Sequence, residues 1–263
     1  MDDRRLGRNR PLRRAPRIEL DDVVYGIHAV EEALNANETL RRIHVGDDRK
    51  RDAAVQAIVR RAEEAEIPVR FESRAFFANF PYKAHQGVVA FGTPFDYAGL
   101  DEILASRRGA TGLLVVVLDH VTDPHNLGAI IRSAECAGAA GLVIPERRAA
   151  GVNATVRKAS AGASAFLSIA RVSNIAQAIR SLKKARVWVA GADLGDGTVP
   201  YASADFNRDV AVVIGAEGAG LSPLVRRECD YLVSIPILGK TASLNASVAA
   251  GVLLYEAVRQ RGG

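Results

Sequence analysis

Cysteine, methionine and tryptophan are scarce in this chain: 263 residues hold two, one and one of them. Cys136 and Cys229 are too few and too far apart for a disulfide scaffold or a zinc site, and a reducing cytoplasm is the setting expected for such a chain. The five histidines, at 28, 44, 85, 120 and 125, show no HExxH or comparable ligand spacing, so no metal is expected. Long apolar runs are missing too. The longest, Leu113 to Leu118, falls far short of the ~18 residues that a membrane helix needs, and no membrane role is expected. Neither a GxGxxG fingerprint nor a Walker lysine is present, which argues against a nicotinamide-dependent enzyme and a P-loop NTPase.

What the chain has is positive charge gathered at one end. Residues 1–17 carry seven arginines (4, 5, 8, 10, 13, 14 and 17) against Asp2 and Asp3, and the remainder is neutral, with 28 basic and 28 acidic residues. An arginine-rich, apolar-poor arm cannot bury enough surface to fold alone, so residues 1–20 are expected to be disordered. Such an arm binds RNA phosphates in a salt-dependent, sequence-blind way, or merely keeps the chain soluble. No apolar stretch follows it, unlike a signal peptide, and its two leading acids are unlike a transit peptide.

Beyond the arm, the hydrophobic periodicity divides the chain in two. Ile27, Val30, Ala33 and Leu34 recur at helical spacing after a short entry at Val23. Strands are expected at 42–46, 68–71 and 87–91, with a helix over 52–65, which together make a small α/β module over 21–92. Residues 93–110, with Pro94, Gly99, Arg107 and Arg108, read as a connector holding a short helix at 100–105. From 111 to 263 the pattern is a clear α/β series. Strands are expected at 113–118, 141–144, 167–171, 186–190, 210–214 and 231–235. Helices are expected at 127–138, 152–162, 174–184, 222–228 and 244–258. Short β-branched runs alternating with helices imply a mostly parallel sheet covered on both faces, with ligands beyond the carboxyl ends of its strands.

Three segments at such strand ends carry the candidate chemistry. The first is Asp119-His-Val-Thr-Asp-Pro-His-Asn-Leu-Gly-Ala-Ile-Ile-Arg132. Asn126 there reads either as a helix N-cap or as a functional amide. Arg132 sits between apolar Ile131 and Ala134 near a helix start, where the macrodipole disfavours a cation. A partly buried arginine at that place asks for a carboxylate or phosphate, and the alternative is an ordinary surface arginine. The second segment, Val210 to Leu221, ends a buried strand in a glycine-rich turn with one acid, Glu217, and its glycines let a backbone approach a ligand closely. The third, Ile235 to Ala249, places Ser243, Asn245 and Ser247 ahead of an apolar stripe of Leu244, Val248, Val252 and Tyr255. Capping accounts for Ser243 but not for the other two as well.

Together, DHVTDPHNLGAIIRSAECAG, VIGAEGAGL and IPILGKTASLNASVAAGVLLYE closely resemble the signature motifs of the SpoU (TrmH-like) RNA 2′-O-ribose methyltransferases. Tyr25-Gly-Ile-His-Ala-Val-Glu-Glu-Ala-Leu34 and His85-Gln-Gly87 resemble the amino-terminal domain of the branch that methylates a guanosine in 23S rRNA. The likeness runs from about residue 23 to 258. It implies a SPOUT fold, with a parallel sheet and a deep trefoil knot that binds S-adenosylmethionine, preceded by a module similar to ribosomal protein L30e. It also implies a homodimer with the site at the subunit interface. Asn126, Arg132, Glu217, Ser243 and Asn245 match the family's catalytic set, and Gly191, Gly215, Gly220, Ile235 and Leu244 match cofactor-contacting positions. Ala246 stands where the family usually has valine, a packing change that leaves the chemistry intact. Two other readings keep RNA as the partner. One is methylation of tRNA or of another rRNA position, and the other is a non-catalytic RNA-binding or ribosome-assembly factor.

Overall fold

The strands of a parallel sheet that is buried on both faces must be apolar throughout, and two runs here, Leu114-Val-Val-Val-Leu118 and Val210-Ala-Val-Val-Ile214, meet that demand. In the computed structural model, which describes residues 23–35, 39–78, 80, 85–106 and 112–262, they lie side by side at the centre of a seven-stranded sheet. The arginine-rich segment 1–20 and Arg107–Arg108 fall outside the described residues.

The first module contains β1 (Val23–Tyr25), α1 (Ile27–Asn35), β2 (Leu40–Gly46), α2 (Ala53–Glu64), β3 (Val69–Glu72), α3 (Arg74–Phe77) and β4 (Val88–Gly92). Its sheet order is β1-β4-β2-β3; β4 runs antiparallel to both neighbours and β2 parallel to β3. Asp52 starts α2 by accepting from the Ala54 amide (3.0 Å), and Val55, Ile58 and Ala62 pack on Ile43 and Val45. The other face carries Phe77, Phe80 and Val89. His44 is buried there, stacked on Phe76 at 4.6 Å with Nδ1 3.0 Å from Glu72 Oε1. Burial pushes its pKa below the usual histidine value despite that carboxylate.

The second unit follows α4 (Leu100–Ala105). It comprises β5 (Leu114–Asp119), α5 (Pro124–Cys136), β6 (Gly141–Pro145), α6 (Ala154–Ala159), β7 (Ile169–Val172), α7 (Ile175–Lys184), β8 (Trp188–Ala192), β9 (Thr198–Pro200), β10 (Val210–Gly215), α8 (Pro223–Glu228), β11 (Tyr231–Ser234) and α9 (Ala246–Gln260). The order is β7-β6-β5-β10-β8-β11-β9, all parallel. Because side chains alternate along a strand, Leu114, Val116 and Leu118 face α5, α6 and α9, while Val115 and Val117 face α7 and α8. Helix α6 sits so close to α5 that a Cβ at Gly128 would lie 2.4 Å from that of Ala159.

Chain order explains why three loops meet at one edge. After β8 the chain places β9 on the sheet's rim, returns to put β10 on one side of β8, and crosses again to put β11 on the other. The loops after β5, β10 and β11 therefore leave from the same carboxyl edge, and this doubly crossed topology is in keeping with the knotted fold that the resemblance implies.

The chain's end locks the opposite edge. Arg261 donates to the carbonyls of Gly112 (3.1 Å), Leu113 (3.2 Å), Phe206 (3.0 Å) and Arg208 (2.6 Å). Charge-assisted bonds to four carbonyls of two segments make Arg261→Ala destabilising by about 2–3 kcal/mol. The expected readout is a lower urea midpoint at unchanged m-value.

Candidate active site

Helix α5 begins three residues earlier than the periodicity suggests. Asp123 is its N-cap, accepting from the His125 amide (3.0 Å), and Pro124 takes the first helical position. Asn126 is thus not the cap. It lies in the first turn, 6% exposed, and its Nδ2 donates to Glu217 Oε1 at 2.9 Å across 91 residues of sequence.

The start of α9 needs the opposite correction. Ser243 does not cap it; Asn245 does, accepting from the amides of Ser247 (2.9 Å) and Val248 (3.3 Å), so the helix starts at Ala246. Ser247 also donates its hydroxyl to Asn245 Oδ1 at 2.6 Å. With its oxygen committed to the helix, the Asn245 amide nitrogen points back. It donates to Asn126 Oδ1 at 2.9 Å and to Glu217 Oε1. Asn126, Glu217 and Asn245 therefore close a triangle from the three loops. Glu217 Oε1 receives both amides, which fixes its carboxylate and leaves Oε2 without a hydrogen-bond partner among the described residues.

Beside the triangle opens a cavity of about 270 Å³. The glycine-rich turn forms one wall: Ala216 and Gly220 exchange two backbone bonds, of 3.1 and 2.9 Å. The turn is closed so tightly that a Cβ at Gly215 would stand 2.2 Å from the Gly220 carbonyl carbon. Ile235, Ser243 and Leu244 line the opposite wall, with Ile214 and Val233 beneath. A largely apolar lining beside a glycine-rich backbone turn suits an adenosine. Gly191 does not line this space. It sits inside β8, where a Cβ would meet Cys229 Sγ at 2.8 Å and Leu232 Cδ2 at 2.9 Å, while its neighbour Ala192 reaches the cavity.

Two buried or half-buried acids outside the candidate set hold these loops. Asp119, 1% exposed at the end of β5, accepts from the Ser222 amide (2.7 Å) and sits 2.6 Å from His120 Nδ1, so it ties the first loop to the far end of the glycine-rich turn. Asp193 lines the cavity, accepts from the amides of Leu194 (2.7 Å) and Gly195 (3.3 Å), and pairs with Arg226. Partial burial raises its pKa, but the Arg226 guanidinium and those amides outweigh this and hold the carboxyl below its usual range. A carboxylate directly at a strand's carboxyl end is the sign in the sequence that could have found both.

Arg132 departs from expectation. It is exposed rather than partly buried, and it has no hydrogen bond or ion pair among the described residues. Six residues beyond Asn126, it is turned about 120° away around α5 and ~9 Å further along the axis. Within one chain it therefore does not join the triangle. Its neighbour Ser133 borders the outward side of α9, with Oγ 4.0 Å from where a Cβ on Gly251 would stand. That side is apolar: Leu244, Val248 and Tyr255 are exposed and Val252 half-buried, whereas the core is served by Ala246, Ala250, Leu253, Leu254 and Ala257.

Comparison with known proteins gives the family. Residues 113–255 match the SpoU rRNA Methylase family, and residues 23–98 match the family described as RNA 2′-O ribose methyltransferase substrate binding. A Staphylococcus haemolyticus protein assigned to the TrmH family of tRNA/rRNA methyltransferases is 39% identical over 242 residues, covering 92% of this chain and 96% of its own length. Among solved structures, the SpoU methyltransferase AviRb from Streptomyces viridochromogenes is similar at 30% identity and a TM-score of 0.59, covering 91% of this chain and 89% of that one. Its complex with the cofactor AdoMet gives 29% and 0.57, covering 91% and 90%. The fold and these matches define an S-adenosylmethionine-dependent RNA 2′-O-ribose methyltransferase. The chain belongs to the SpoU (TrmH) family.

Proposed function

We propose that the enzyme methylates the ribose 2′-hydroxyl of a guanosine in 23S rRNA, acting as a cytoplasmic homodimer. The observation that carries the reading of the site is the Asn126–Glu217–Asn245 triangle at the rim of a backbone-walled cavity. The 23S target is favoured by the amino-terminal likeness of residues 25–34 and 85–87 to the rRNA branch. The cytoplasmic assignment is favoured by the two free cysteines. A second copy is favoured by the outward stripe of α9, since contiguous exposed apolar side chains on a helix mark an interface.

On this reading residues 21–92 receive RNA, 93–110 connect, and 111–263 catalyse. When bound, S-adenosylmethionine supplies an electrophilic methyl on a sulfonium, held against Gly215, Gly220, Ile235 and Leu244. The protein's part is positioning and electrostatics. The amides of Asn126 and Asn245 lock Glu217 in place, and Ser243 and the free Oε2 of Glu217 are left to hold the target nucleotide by hydrogen bonds. Arg132, a planar guanidinium that offers a fork of donors and no acceptor, serves as a cationic clamp on the phosphate beside the developing alkoxide.

Mapping 2′-O-methyl groups in all stable RNAs of a deletion strain tests the target. The expected result is loss of a single 23S guanosine methyl. Loss of a tRNA methyl would overturn the target, and an unchanged map would overturn the function.

A further inference from the structure

The loop between β6 and α6, residues 146–153, lies at the active edge yet has no part in the site described above. The register pairs Val117 with Val143 and Asp119 with Gly215, so β6 ends level with the strands that carry the site. The loop is fastened there: the Ala150 amide donates to Val121 O (2.9 Å), inside the first signature segment, and the Glu146 amide to Val172 O (2.9 Å). On this anchored loop Arg147 and Arg148 are both exposed. Arg148 is held at φ +56°, a left-handed conformation that side-chain-bearing residues rarely adopt.

In the same unit Arg180 pairs with Glu228, Arg208 with Asp205 and Arg259 with Glu256, whereas exposed Arg132, Arg186 and Arg227 have no carboxylate partner among the described residues. Arg147 and Arg148 have no such pair among the described residues, and the loop's only acid is Glu146. Arg157 of α6 is spent on the connector, donating to Thr93 O (2.9 Å).

We propose that this loop grips the phosphates that flank the target ribose, with Arg147 and Arg148 as its contacts. The inference rests on the reading of the site as an RNA ribose methyltransferase. Two adjacent guanidiniums fit the spaced anions of a nucleic-acid backbone. An acidic protein partner fits less well, because the loop offers no apolar anchor: Val152 is buried, and Ala149 and Ala150 are small and half-buried.

The test uses the full-length enzyme and an RNA that the wild type methylates. Arg147→Ala with Arg148→Ala is expected to raise the KM for RNA about tenfold and to reduce the slope of log affinity against log salt by about 1.4–1.8. S-adenosylmethionine affinity and the melting temperature should stay unchanged, and Arg147→Lys with Arg148→Lys should restore the slope. Wild-type RNA affinity and slope in the double alanine variant would overturn the inference. So would a loss confined to binding of a ribosomal protein. If the wild type itself transfers no methyl to any RNA, the reading of the site fails instead, and the two failures are thereby told apart.

Discussion

Arg132→Ala is expected to lower the methyl-transfer rate about 10²–10³-fold while leaving S-adenosylmethionine affinity unchanged, the loss typical of removing one preorganised electrostatic group from a reacting centre. Arg132 takes no part in holding the fold: it is exposed, and none of the bonds that build the triangle or the cavity involves it. The α5 geometry adds a sharper expectation. Arg132 is turned away from its own chain's Asn126, and its neighbour Ser133 borders the apolar side of α9, so on the homodimer reading Arg132 serves the partner's cavity. Mixing Arg132→Ala with Glu217→Ala protomers then regenerates one intact site per heterodimer, and activity should reappear from two inactive parents. Arg132→Lys should recover only part of the rate, because an ammonium keeps the charge without the two-pronged donor geometry. Near-normal turnover by Arg132→Ala would remove the residue from the chemistry; failure of the mixture would return it to its own chain's site.

How much of this was legible in the residues depended on whether the cause was local. The central strands could be read because burial on both faces leaves a continuous apolar run, as in Leu114–Leu118 and Val210–Ile214. Helix starts were misplaced where two residues of like capping chemistry stand close together. Asp123 and Asn126 can both cap, as can Ser243 and Asn245, and only Pro124, at the first helical position after Asp123, marked one choice in advance. The stripe Leu244–Val248–Val252–Tyr255 was correctly periodic, but α9 has a second apolar face, and periodicity cannot say which of two faces meets the chain's own core. The elements β9 and α3, three and four residues long, were too short to register. Strand order was the least accessible feature. The crossings that insert β10 between β5 and β8 leave no local trace, yet they bring Asn126, Glu217 and Asn245 together. Motif resemblance supplied the companionship of those residues; their bonding pattern, with Glu217 as the shared acceptor, came from the geometry.

That pattern makes the glycine-rich turn the most sensitive point in the cofactor wall. In Gly215→Ala the new methyl would lie 2.2 Å from the Gly220 carbonyl carbon, 2.3 Å from its oxygen and 2.5 Å from the Leu221 nitrogen. All three are backbone atoms, so no side-chain rotation relieves the overlap, and the segment from Ala216 to Leu221 must move. Moving it strains the paired Ala216–Gly220 bonds and the Asp119 bond to Ser222, and carries Glu217 away from two amides that are fixed on other helices. Overpacking of this kind costs about 1–3 kcal/mol, which in the cavity wall corresponds to S-adenosylmethionine binding weakened about 5–150-fold. Titration calorimetry with S-adenosylmethionine is the direct measurement. Gly239→Ala is the control, since a methyl there meets nothing within 4 Å, and it should bind normally. Normal affinity in both variants would mean that the cofactor is not held against this turn, whereas a defect in Gly215→Ala alone locates it there and explains why a side chain of any size is unwelcome at the end of β10.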